Sequence, residues 1–90
     1  MARQPLDPTH LARLSGAMLT AIAEARALDE AGEHGRQFHR CVEIARDNYD
    51  RLLAELIAAE PGTAQYARGL AASMGHHLSE LERLADASSH

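Results

Sequence analysis

Lysine and tryptophan are absent from this 90-residue chain, cysteine occurs once, and aromatic residues make up 3% of it. Each shortage removes a class of chemistry. Without lysine there is no side-chain amine for a Schiff base and no phosphate-loop lysine. A single thiol, Cys41, cannot close an internal disulfide. The β-branched residues number seven (Val42, three Ile and three Thr), and no stretch alternates apolar and polar residues for long enough to form a strand. The opening residues, Met1 to Asp7, contain no hydrophobic signal core. The uncharged run from Leu14 to Ala23 is interrupted by Ser15, Gly16 and Thr20 and is too short to span a bilayer. A cytoplasmic protein with no membrane segment is the expectation.

A basic footprint is also missing. Thirteen acidic residues outnumber nine basic ones, giving a net charge of −4, and the two signs are interspersed. That balance argues against nucleic acid or an anionic membrane as the main partner. All nine basic residues are arginine, which together with the alanine content reads as the mark of a GC-rich bacterial or phage coding sequence.

What the chain has in quantity is alanine and leucine: 18 and 12 residues, within an apolar total of 46%. Both lose little side-chain freedom in a helix, as do arginine, glutamate and methionine. The expected fold class is all-α. Ninety residues make one domain, expected to run over 1–90 with flexible ends at 1–6 and 87–90. A chain of this size buries only about 60–65% of its unfolded surface, so a partner or a second copy would add useful burial.

Three helices of similar length follow from the spacing. Asp7 can cap the first, and Pro8 suits its first position, where the missing N–H costs nothing. Leu11, Leu14, Met18, Ala21, Ala25 and Leu28 then form one three-four stripe, predicting a helix over 8–31. Gly32 and Gly35 mark a stop and a turn. Phe38, Val42, Ala45, Tyr49, Leu52, Leu56 and Ala59 predict a second helix over 36–59, closed by Pro61 and Gly62. Thr63 can cap a third over 63–86, with a stripe of Ala67, Leu70, Met74, His77, Leu81 and Leu84. Short connections make sequential helices antiparallel, so the expected architecture is an up-down-up three-helix bundle. An alternative fuses the first two helices into one rod through Gly32 and Gly35, at a cost of about 2 kcal/mol for two interior glycines.

The apolar stripes are wider than such a bundle strictly needs. Leu19 and Ile22 broaden the first; Ile44, Leu53 and Ile57 broaden the second. This arc either wraps a larger core or faces a partner helix or a second copy of the chain. The second reading makes the protein a non-enzymatic interaction module, such as an adaptor, co-chaperone, inhibitor or regulatory subunit, with these five residues as its binding surface.

Six histidines are the one feature of the composition that calls for chemistry. His39 and Glu43 are four apart, and His76 and His77 precede Glu80 by four and three, so each set can share a helix turn. Imidazole and carboxylate are ligands for zinc or iron, so His39, Glu43, His76, His77 and Glu80 are candidates for a divalent metal in sensing, storage or cofactor assembly. There is no His-Glu-x-x-His, no Cys-x-x-Cys, and no Glu-x-x-His of the di-iron bundles. A histidine with an ordinary hydrogen-bond partner is the more economical reading of each. Cys41 lies beside Val42 and one turn from Phe38 and Ala45, the setting of a packed structural thiol rather than a reactive thiolate. Arg36 and Arg40, with His34 and His39, form a locally basic cluster that reads as solvated surface. No catalytic residue is assigned.

Overall fold

Asp7 opens the first helix by accepting a hydrogen bond from the backbone N–H of Thr9 at 3.0 Å, with Pro8 following it. The computed structural model describes residues 7–58 and 65–88, with the backbone alone at Tyr66 and Ala67. Within them lie α1 (Pro8–Glu30), α2 (Arg36–Ala58) and α3 (Gln65–Ala87), each of 23 residues and therefore about 34 Å long. No strand occurs among the described residues. The expected all-α three-helix bundle is the observed fold. Pro61, Gly62 and Thr63, expected to end one helix and cap the next, fall outside the described residues, as does Ala59.

The glycine pair separates α1 from α2 and rules out the fused rod. Gly32 adopts φ +74°, a left-handed conformation that side chains with a Cβ resist. Around it the Glu33 N–H donates to the Leu28 carbonyl at 2.8 Å and the Gly32 N–H to the Asp29 carbonyl at 3.0 Å. This crossed pair is the Schellman motif, which satisfies carbonyls that a helix end leaves open. His34 closes the turn from outside, with Nε2 2.6 Å from the Asp29 carboxylate and its ring edge-on to Phe38 at 5.0 Å.

Cross-helix contacts fix the directions. Between α1 and α2, His10 meets Glu55 while Glu24 meets Cys41, so the chain positions run in opposite senses. Between α2 and α3, Ser88 lies by His39, Glu82 by Arg46 and Arg68 by Leu56, again antiparallel. The α1–α2 contact is the most extensive and the α1–α3 contact the smallest.

The core follows the expected stripes in α1 and α2. Leu14, Met18, Ala21 and Ala25 are buried from α1, as are Phe38, Val42, Ala45, Leu52 and Leu56 from α2, while Leu11 and Leu28 pack against its edge. Cys41 is buried with them. The third stripe differs. Met74 and Leu81 are buried as expected, but their companions are Ala71, Leu78 and Ala85 rather than Leu70, His77 and Leu84. Both sets obey three-four spacing around the shared Met74 and Leu81. Burying the second would have desolvated an imidazole, whereas the observed set puts a fully buried leucine in its place and leaves His77 exposed. Alanines at 71 and 85 also leave room for the neighbouring helices. Leu70 and Leu84 stay half-buried on the flank.

One glycine makes a close approach to a neighbouring helix. A Cβ on Gly75 would lie 2.5 Å from the Tyr49 hydroxyl oxygen and 3.1 Å from Cζ of the same ring. The bare backbone of α3 at this point is what lets a tyrosine from α2 lie across it. The same ring has the Arg46 guanidinium carbon 5.6 Å from its centroid. On its other side Arg46 holds both oxygens of Glu82, one through Nε at 3.0 Å and the other through Nη2. The Glu82 hydrogen bonds push the Arg46 guanidinium further up from its already high range, so it stays charged. Tyr49, Arg46 and Glu82 form the polar seam that joins α2 to α3.

Candidate docking surfaces

The five residues of the expected apolar arc do not form one surface. Ile22 is buried in the core, which corrects its assignment to a binding face: it sits one turn from Met18 and adjacent to Ala21, inside the stripe rather than at its border. Leu19 is 51% exposed, Ile44 40% and Ile57 77%. Leu53 is half-buried against the core. At about 100° per residue, Ile44 and Ile57 stand about 140° apart around α2 and about 20 Å apart along it. The contacts settle which way each looks. Cys41 and Glu55, which meet α1, share the flank of Ile44; Arg46, which meets α3, shares that of Leu53 and Ile57. Leu19 falls on the same flank of α1 as Arg26, whose partners His77 and Glu80 belong to α3. Each exposed apolar side chain therefore borders a different groove between helices.

The groove beside Ile57 holds a cavity. Tyr49, Leu53, Leu56, Ile57, Arg68, Ala71 and Ala72 line an open cavity of about 270 Å³ between α2 and α3. Leu56 and Ala71 form its floor as part of the core, and Leu53 and Ile57 its wall. Arg68 stands at one end, donating to the Leu56 carbonyl at 3.4 Å, and no described carboxylate lies within ion-pair distance of it. Asp50 lies on the Ile57 stripe of α2 and is 61% exposed, with Arg46 3.5 Å away. Arg68 and Ala72 were not legible as site residues, because their place on the rim depends on the α3 register that spacing alone left two-fold.

The candidate metal ligands are dispersed. His39 lies near the end of the bundle, where its Nε2 is 3.2 Å from the Ser88 hydroxyl, and it shares a polar cavity of about 220 Å³ with Glu43, Glu82 and Asp86. His76 and Glu80 make an exposed ion pair at 3.2 Å on α3, and His77 instead accepts from Arg26 of α1 through Nδ1. Glu80 also lies 3.6 Å from Arg26, so its charge is already shared. His39 and His77 sit on different flanks at different heights of the bundle. Among the described residues no group of three or more His, Cys, Asp or Glu side chains is placed to hold a metal ion.

Cys41 is buried, and its thiol donates to the Glu24 carboxylate at 3.5 Å. Burial pushes the thiol pKa up, and the bond to Glu24 and its negative charge push the same way, against a smaller opposing pull from Arg40. That is the opposite of what a nucleophilic thiolate requires. No polar or charged residue is buried among the described residues. Arg36 and Arg40 are exposed, and no helix in the described residues is long and apolar enough to cross a membrane.

Fold and surface together define a small three-helix bundle with an apolar groove on one flank. No protein-family model matches the chain, no curated protein is detectably similar to it, and no solved structure matches it.

Proposed function

We propose that this protein is a non-enzymatic helical interaction module that docks a helix in the groove between α2 and α3, with Leu53 and Ile57 as its apolar anchors. The observation that carries the reading is Ile57, a large aliphatic side chain 77% exposed on the rim of an apolar cavity. Burying such a side chain contributes about 1.5–3 kcal/mol, enough to anchor a complex when its neighbours are also covered. The polar groups of the described surface point the same way. Several are engaged in exposed pairs such as Arg51–Asp47 and His76–Glu80, which suit a solvated exterior rather than an arranged reaction centre.

Native mass spectrometry of the protein purified from its own host tests this reading, with Ile57→Asp alongside. The wild type carries added protein mass beyond 9.8 kDa, and the variant loses it while keeping its helical circular dichroism. Retention of the added mass by a folded Ile57→Asp chain would refute the groove as the docking site.

A further inference from the structure

We infer that the occupant of the α2–α3 groove is the same groove of a second copy, the two α2 helices lying antiparallel across a two-fold axis near Leu53 and Ala54. This rests on the groove being a docking site and adds the identity of what docks there. A two-fold interface is built from one patch used twice, so the patch must carry both a projection and a recess, offset about the axis. This one does. Ile57 projects from the rim, and the cavity beside it is floored by Leu56 and Ala71 and edged by Ala72.

The contacts between α2 and α3 set the offset. Arg68 stands level with Leu56 and Gly75 level with Tyr49, so Ala72 falls between them, level with about residue 52. An axis at Leu53–Ala54 carries Ile57 of one copy to the level of residues 49–51 of the other. It arrives over Tyr49 and beside Ala72, where the small side chains of Ala71 and Ala72 leave the cavity open. Ala54, exposed on the outer side of α2, comes close to its own symmetry mate.

Charge supports the same placement. The axis brings Asp50 of one copy to about the level of residues 56–58 of the other, where Arg68 stands. Arg68 has no ion-pair partner among the described residues, and Asp50 is shared at 3.5 Å with an Arg46 already engaged in two bonds to Glu82. The symmetric pair Asp50–Arg68 therefore forms twice, closing both ends of an apolar centre made by Leu53 and Ile57. A parallel two-fold would instead lay α2 of each copy over α3 of the other and set Asp50 level with about residue 74, roughly 9 Å along the helix from Arg68, so the pair would not form.

Sedimentation equilibrium on the full chain tests the arrangement. Wild type sediments with twice the 9.8 kDa monomer mass, and Ile57→Asp sediments as a folded monomer. Arg68→Glu and Asp50→Arg each weaken the dimer by about tenfold, and the double variant restores it to within about threefold of wild type. On a Cys41→Ser background, Ala54→Cys forms a disulfide-linked dimer under mild oxidation, whereas Thr20→Cys on the exposed side of α1 does not. A wild type that is monomeric at several hundred micromolar overturns self-pairing; if Ile57→Asp still strips a host partner from that monomer, docking through the groove survives. A dimer unmoved by Ile57→Asp, or one in which the charge reversal is not restored, overturns the proposed face.

Discussion

Replacing Gly75 by alanine sets two effects of known size against each other. Alanine is favoured over glycine in a helix interior by about 0.8–1.0 kcal/mol, and Gly75 lies well inside α3. Opposing this, the new Cβ would sit 2.5 Å from the Tyr49 hydroxyl oxygen and 3.1 Å from Cζ. The ring has to tilt, and Arg46 on one face and the groove wall at Leu53 limit where it can go. Forcing a methyl group into such a contact costs about 1–3 kcal/mol. Gly75→Ala is therefore destabilising by about 1 kcal/mol in the wild type. In a Tyr49→Leu background the obstruction is gone, and the same substitution stabilises by nearly the full helical preference. The coupling between the two sites comes to about 2 kcal/mol. Urea unfolding of the four proteins, followed by circular dichroism at protein concentrations that hold the oligomeric state constant, measures each value. If Gly75→Ala stabilises the wild type as much as it stabilises the Tyr49→Leu protein, the close approach of α2 and α3 is not what this position serves.

The α3 register is tested by a pair of truncations: Leu78→Ala costs about 3 kcal/mol as a core cavity, and Leu70→Ala about half of that at the half-buried flank, both read by urea unfolding. If the two rank the other way, the Leu70 stripe faces the core. The raised pKa of Cys41 predicts a pH effect. The folded state holds the thiol proton more tightly than the unfolded chain does. The stabilisation is thus present below the ordinary thiol range and lost as pH rises through the folded value. Relative to Cys41→Ala, the wild type loses stability as pH rises above the ordinary thiol value of about 8.5. Labelling by a disulfide reagent at pH 8 is slow in the wild type and faster in Glu24→Ala, which removes both the hydrogen bond and the negative charge; equal rates in the two would show that burial alone protects the thiol.

The helices were legible because their signals are local. Asp7–Pro8 and the Gly32–Gly35 turn act within a few residues, and α1 begins at Pro8 and α2 at Arg36, where those signals place them. Stripes with a single solution, such as Phe38–Val42–Ala45, were read correctly. The third was not, since Leu70–His77–Leu84 and Ala71–Leu78–Ala85 fit the same period and the choice is made by what α1 and α2 present to α3. The site was less legible for a related reason. Exposed aliphatic residues could be named from the sequence, but Ile22 lay one position inside the stripe and Ile44 on the flank away from Ile57. Whether such residues share a groove depends on which neighbour each flank meets. The histidines show the same limit. Spacing placed His76 beside Glu80, as found, while the preference of His77 for Arg26 involves a different helix.

The inequality of the helix contacts makes this bundle a hairpin with a rider. α1 and α2 share the largest interface and a turn locked by Gly32, His34 and Asp29, so their pairing needs only near neighbours in the chain and can form early. α3 is held by its buried stripe from Ala71 to Ala85 and by the seam of Tyr49 over Gly75 and Arg46 gripping Glu82, and it meets α1 less than α2 does. Opening therefore begins with α3 leaving as a unit, at a lower free energy than melting the hairpin. That opening removes one wall of the docking groove. Whatever fills the groove clamps the rider in place, so binding there tightens the whole molecule.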